Sequence, residues 1–183
     1  KMGLQLHAYA NGLDREAVRP CYNQEPVKSV GNGETFSRNL TTRQEVHAGV
    51  AVLADSVATR LRRHGLYAGG LQVTLRDPQF HDRSRQCRLP APTHLIREVT
   101  ETALQLVEQL WKPPAPIRAL TVTALSLVSE EAAYEQTDLF TAPARRDRQE
   151  KLEGAMDQIR KKYGSGAIVF GAARPEKEED PLP

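Results

Sequence analysis

The residues best suited to chemistry in this chain are hydroxyls, amides and guanidinium groups, not acids or thiols. Gln72, Thr74 and Arg76 alternate with Leu71, Val73 and Leu75. Ser84, Gln86 and Arg88 alternate with Cys87 and Leu89, and Thr121 and Thr123 sit in a later run rich in Leu and Val. Strict alternation puts one set toward a core and the other on an open face. An earlier stretch, Val27 to Arg43, contributes Lys28, Ser29, Gly31, Gly33, Ser37, Arg38 and Asn39. Ser, Thr, Gln and Arg side chains with glycine amides bind phosphate oxygens without reading base identity. Reading single-stranded bases would require stacking aromatics on the central strands. The sheet offers only Phe36, which equally suits a core. The competing reading is a plain solvated face, since half-buried sheets normally carry polar groups outside.

Other chemistries lack their residues. There is no glycine-rich loop followed by Lys and Ser/Thr, no Gly-x-Ser-x-Gly and no cluster of His or Cys with metal-ligand spacing. Asp77 and Asp82 flank a turn, where Asp is at home for its own reasons. No catalytic residue and no metal ligand is therefore assigned. The charge is uneven: from Lys28 to Val128 there are 13 Lys/Arg against 8 Asp/Glu, and from Ser129 onward 9 against 12. A basic globular part followed by a mildly acidic tail suits a polyanion partner, and equally suits surface solubility. Two cysteines without framework spacing, and no signal peptide or long apolar run, lead us to expect a cytoplasmic protein with no membrane partner. The chain starts at Lys1, not Met, so we expect a fragment whose catalytic parts lie elsewhere.

The elements that position these groups are readable in order. Residues 1–27 give a short helical piece, a turn at Asn11-Gly12 and a linker. Thr42 to His64 is a helix, opened by the capping box Thr42-Arg43-Gln44-Glu45 and striped by Val46, Val50, Leu53, Val57 and Leu61. Arg60, Arg62, Arg63 and His64 fall in its last turn, where cations suit the helix dipole; phosphate contact is the alternative. Gly65 ends it. Two strands follow, Gly70 to Arg76 and Arg83 to Leu89, and Pro90-Ala91-Pro92 is expected to break the chain. Thr93 can cap a second helix running to Trp111, and Ile117 to Val128 is a last strand. The order strand, helix, strand, strand, helix, strand predicts an α+β fold. It is a four-stranded antiparallel sheet with both helices on one face. In the tail, Asp147 to Tyr163 forms a helix with Leu152, Met156, Ile159 and Tyr163 on one stripe. Residues 174–183 are charged and proline-rich, a composition expected to be disordered without a partner.

One further motif is a peptide. Gln136 stands three residues before Leu139-Phe140 in an otherwise polar tail. Leu and Phe can fill an apolar pocket while the Gln amide bonds at its rim. The alternative is that they dock on the chain's own domain.

Several of these residues carry a family resemblance. Lys28-Ser29-Val30-Gly31-Asn32-Gly33-Glu34-Thr35-Phe36-Ser37-Arg38 and Leu40-Thr41-Thr42 resemble the start of the little-finger domain of Y-family translesion DNA polymerases, the DNA polymerase IV-like group. In the same order follow Leu61-Arg62-Arg63-His64-Gly65-Leu66, the strand end from Arg85 to Pro90, Glu108-Gln109-Leu110-Trp111 and Ala124-Leu125-Ser126-Leu127-Val128. Tyr9 to Asp14 looks like the end of a thumb domain. Gln136 to Phe140 looks like the bacterial sliding-clamp-binding peptide, with Thr137 where Leu is common. Lys151 to Gly164 looks like the tail of Gram-positive members related to UV-damage repair proteins.

The resemblance implies bypass synthesis across damaged DNA by the parent, with this region gripping primer-template. It divides the chain into thumb end and linker (1–27), little finger (28–128) and tail (129–183) with its peptide (136–140) and helix (147–163). The metal-binding carboxylates and the Mg they hold would lie in a palm absent from this stretch, so no cofactor is expected here and no polymerase activity. DNA-phosphate contacts are expected from Lys28, Ser29, Asn32, Ser37, Arg38, Thr74, Arg76, Ser84, Arg85 and Arg88. Clamp contacts are expected from Gln136, Leu139 and Phe140, in a monomer. Where the family often has Arg-Ser-Lys-Thr, this chain has Arg85-Gln86-Cys87-Arg88, which puts the phosphate contacts there in question. The rival reading is a protein-interaction module in DNA repair whose sheet face is inert.

Overall fold

A computed structural model describes residues 2–15, 17, 26–134 and 143–169. The elements are α1 (Met2–Ala10), β1 (Val30–Leu40), α2 (Arg43–Arg63), β2 (Leu66–Arg76), β3 (Asp82–Thr93), α3 (Ile96–Leu110), β4 (Ile117–Ser129), α4 (Glu130–Tyr134) and α5 (Pro143–Tyr163). The strands form one antiparallel sheet in the order β1-β4-β2-β3, with α2 and α3 packed on one face, as the alternation and element order predict. Helix residues Val46, Val50, Leu53, Val57, Leu61, Val99 and Leu106 meet Leu71, Val73, Leu120 and Val122 of the two central strands in a single core. Each of these aliphatic side chains contributes on the order of 1.5–3 kcal/mol on burial.

The local signals for α2 are realised. The Thr42 hydroxyl accepts from the Glu45 amide at 3.3 Å, and a Glu45 carboxylate oxygen accepts from the amides of Thr41 and Thr42, both at 3.0 Å. Those two amides, followed by the Arg38 guanidinium, hold the Glu45 carboxyl down at about 2. Gly65 takes a φ of 62° past the helix end, a conformation glycine adopts without steric cost. In the β2–β3 turn Asp77 Oδ1 accepts from the amides of Gln79 and His81, both at 2.9 Å, so this carboxylate builds the turn.

Three expectations are corrected. The Pro90-Ala91-Pro92 segment does not break the chain: β3 runs through it to Thr93. It lies on an edge strand, where a missing amide costs no ladder bond. Thr93 does not cap α3. The cap residue is Leu95, which has no capping side chain, and the Thr93 hydroxyl accepts from the Leu95 amide at 3.0 Å. Finally, α5 begins at Pro143, four residues before the expected start. Leu152, Ile159 and Tyr163 are exposed, and only Met156 of the four is buried.

The docking face of α5 is charged. Arg62 of α2 donates to Glu153 at 2.5 Å and to Asp157 at 2.6 Å, and Arg160 makes a two-pronged contact with Asp55 at 2.8 and 2.7 Å. Glu153, 1% exposed, also receives the Ile96 amide on both carboxylate oxygens at 3.1 Å. An α-helix leaves its first amides without intrahelical partners. Here α5 supplies the acceptor that Leu95 cannot. Burial pushes the Glu153 carboxyl up, against the opposing pull of the Ile96 amide and Arg62. Nearby, His94 stacks on Tyr67 with ring centroids 4.1 Å apart. Burial, then Arg62 and Arg146, push its imidazole down to about 4, so it is neutral at pH 7.

Candidate nucleic-acid interface

Directly paired residues on neighbouring strands share a face. The register therefore lays out the open face as rows. One row is Gly31, Thr123, Gln72 and Gln86; the next is Gly33, Thr121, Thr74 and Ser84; a third is Thr35, Ala119, Arg76 and Asp82. Leu125, Gly70 and Arg88 form a partial fourth row beyond the first. These rows hold small hydroxyls, two amides, two arginines and one carboxylate, Asp82, beside glycines, Ala119 and Leu125, with no aromatic ring.

Gly31 and Gly33 have a packing reason to be glycine. A Cβ on Gly31 would stand 2.8 Å from Thr123 Oγ1, and one on Gly33 would stand 2.4 Å from Thr121 Oγ1. Both are below van der Waals contact, so β1 yields its side-chain space to the threonines of β4. The result leaves a shallow depression of about 240 Å³ lined by Gly33, Thr35, Thr74, Arg76, Asp82 and Thr121. A second, of about 440 Å³, lies toward Gly69, Gly70, Gln86, Arg88, Leu125 and Ser126.

Eight of the ten expected phosphate contacts fall on this face or at its two ends. Thr74 and Ser84 are central. Val30 pairs with Ala124, so Lys28 and Ser29, just before β1, stand at the end that also carries Arg88. Ser37 and Arg38 follow Thr35 at the other end, past its last regular row, and the Arg38 side chain turns to Glu45 of α2. Arg76 makes a two-pronged ion pair with Asp82 at 2.6 and 2.8 Å, and Arg38 pairs with Glu45. The Arg38 side chain is 71% exposed and both partners of the Arg76 pair 45%, and at such exposure an ion pair is worth little. Arg88 has no ion pair among the described residues and is the least encumbered cation of the face.

The other two of the ten are placed differently. Asn32 pairs with Val122 and Arg85 pairs with Val73, and both partners belong to the core. Asn32 and Arg85 therefore sit on the helix side of the two edge strands, away from the open face. Gln136, Leu139 and Phe140 lie outside the described residues.

Two members of the basic cluster ending α2 are committed to the protein itself, while Arg63 and His64 stay exposed. Arg60 donates to the Gly31 carbonyl at 2.7 Å, and Arg62 belongs to the α5 network. Arg118, on β4, donates to the Phe36 carbonyl at 2.5 Å. Arg60 and Arg118 thus tie the edge strand β1 down at two points. Neither role is visible in the sequence, because an arginine that serves a backbone carbonyl looks like any surface cation. No group of His, Cys, Asp or Glu able to hold a metal occurs among the described residues. No described helix is long and apolar enough to cross a membrane.

Comparison with known proteins gives these residues a family. The chain is 32% identical over 171 residues to DNA polymerase IV of Acetivibrio thermocellus, covering 93% of this chain and 43% of that protein. It is 33% identical to DNA polymerase IV of Pelotomaculum thermopropionicum, covering 92% of this chain and 40% of the relative. It is 31% identical to DNA polymerase IV 1 of Bacillus subtilis, covering 96% and 42%. The chain thus spans about two-fifths of the length of the curated relatives it matches. A solved complex of a beta-clamp processivity factor with the little finger domain of DNA polymerase IV aligns over 53% of this chain and 86% of that one, with TM-score 0.45 and 16% identity. The profile of the impB/mucB/samB family C-terminal domain matches residues 27–139, well over half of the chain, and the chain belongs to that family.

Proposed function

We propose that the open sheet face grips the sugar-phosphate backbone of primer-template DNA without base specificity, as the little-finger part of a translesion DNA polymerase. The observation that carries this reading is the composition of the face. It presents rows of Thr, Ser and Gln flanked by Arg88 at one end and Arg76 at the other, with no aromatic platform for bases. Hydroxyl and amide donors fix a phosphate but cannot tell one base from another. The parent would be a DNA-directed DNA polymerase whose Mg-dependent chemistry lies in a domain not contained in this chain. This region holds the duplex while that chemistry proceeds. Residues Gln136, Leu139 and Phe140 would anchor the protein to a sliding clamp, which supplies persistence that a base-indifferent grip lacks.

Salt dependence tests the grip. Affinity for a primer-template, measured by fluorescence anisotropy, falls linearly in log–log form as salt rises, with a slope near −0.9 for each phosphate neutralised. Three or four contacts give a slope of about −3, and duplexes of different sequence bind alike. No binding at low salt, or a flat slope, removes the DNA role. The clamp contact is tested separately. The Leu139→Ala/Phe140→Ala double variant loses retention on an immobilised clamp while its DNA binding is unchanged. Unchanged retention excludes the peptide as the anchor.

A further inference from the structure

The rows of the open face carry no aromatic ring, but one stands just past their end. The β2–β3 connection is a three-residue loop, Pro78-Gln79-Phe80, closed by Asp77 and His81. The Phe80 amide donates to the Asp77 carbonyl at 3.0 Å, and the Asp77 amide donates to the His81 carbonyl at 3.1 Å. Such a loop ends on a left-handed residue, ordinarily glycine. Here that residue is Phe80, with a φ of 66°. A bulky side chain is a steric outlier in this conformation. At 74% exposure, packing within the domain does little to offset the strain. Among the described residues of β1–β4, α2 and α3, Phe80 is the only exposed aromatic. Strain kept without an internal gain points to a contact outside the chain.

The ring is carried on a braced turn. Asp77 Oδ1 accepts from the Gln79 and His81 amides, Asp77 Oδ2 lies 3.2 Å from His81 Nδ1, and Pro78 has its φ fixed by its own ring. The turn is also close to the phosphate-binding groups. Asp82 pairs with Arg76 in the last row of the open face, and both line the smaller depression with Thr74 and Thr121. Two residues span at most about 7 Å, so the Phe80 backbone stands that close to Asp82. A strand with a phosphate at Arg76 therefore brings a neighbouring nucleotide within reach of the ring. Paired bases hide their faces in the stack, whereas an unpaired base offers one to an aromatic side chain.

We propose that Phe80 stacks on an unpaired base of the template strand, where that strand leaves the duplex held by the open face. The inference rests on the proposed grip and adds a nucleobase site to it. Every base has a face to stack, so the added site is as indifferent to sequence as the hydroxyl rows beside it. The strained turn is what sets the ring at the edge of the grip.

Anisotropy titrations of the full chain at low salt test this with three DNAs: a primer-template with a single-stranded overhang, the same DNA with an abasic overhang, and a blunt duplex. The abasic overhang keeps the phosphates and removes the bases. Phe80→Ala lowers affinity for the first DNA by about five- to a hundredfold and leaves the other two unchanged, while Phe80→Tyr binds all three like the native chain. Phe80→Gly loses affinity as Phe80→Ala does, yet melts about 2–4 °C higher, because glycine takes a positive φ without strain. Undiminished binding of the base-bearing overhang by Phe80→Ala, or an equal loss on all three DNAs, overturns the proposal. A lower melting temperature for Phe80→Gly overturns it too, since Phe80 would then serve the fold. In each of these cases, native binding of the blunt duplex leaves the grip itself standing. A native chain that binds none of the three removes both.

Discussion

Arg62→Met is expected to release α5 from the domain without unfolding the sheet. Arg62 is 9% exposed and faces Glu153 at 1% and Asp157 at 24%. Removing one partner of a buried pair typically costs about 3–5 kcal/mol, because the other charge is left uncompensated in a poor solvent. Here the protein has an escape. The core of β1–β4, α2 and α3 does not include α5, so the loss is limited by the free energy with which α5 docks. Hydrogen exchange should show α5 amides, together with the Ile96 amide, becoming fast while those of β2 and β4 stay slow. The defect should also shrink on acidification. Burial already raises the Glu153 carboxyl, and a raised carboxyl takes up its proton in the folded state first. As pH falls toward its raised value, the uncompensated charge disappears and the penalty with it. An α5 that exchanges as slowly in the variant as in the native protein would show that the ion network does not hold it.

The second large effect concerns two arginines three residues apart. Arg88→Glu is expected to lower affinity for primer-template by tenfold or more, and Arg85→Glu by much less. Both changes alter the net charge equally and both lie on the edge strand β3. They differ in face: Arg88 pairs with Gly70 on the open side, whereas Arg85 pairs with Val73 on the helix side. A lost phosphate contact, replaced by a like charge, is worth upward of 1 kcal/mol at an effective dielectric constant of about 20. The far-face change acts only through the screened long-range field. Equal losses in an anisotropy titration would mean that DNA does not lie on the open face.

That contrast also shows what the sequence could and could not reveal. Alternation in β2 and β3 fixes which face each side chain takes, and the face of Arg85 follows from its parity with Cys87 and Leu89. Its assignment to DNA came from family likeness, which carries no parity. β1 gives a weaker signal. Its open-face positions Gly31 and Gly33 have no side chains, so the phase of Asn32 rests only on Val30 and Phe36 at the same parity. The capping box, the Gly65 stop and the order of elements were all legible, because each depends on neighbours within a few residues. The docking of α5 was not. An interface of Arg62, Asp55, Glu153, Asp157 and Arg160 has no hydrophobic periodicity, and the apolar stripe that does have periodicity faces solvent. The missing acceptor at the start of α3 was a clue in plain view: Leu95 cannot cap, so the first amides required a partner from elsewhere.

That distant partner also sets a load path. A pull on the chain beyond Val169 enters the fold at α5, not at β4. It is borne first by Arg160 on Asp55, then by Asp157 and Glu153 on Arg62, and through the Ile96 amide by α3. The sheet, with its open face, is then loaded only through the helical layer behind it. Tension on the tail loosens a detachable helix before it reaches the strands.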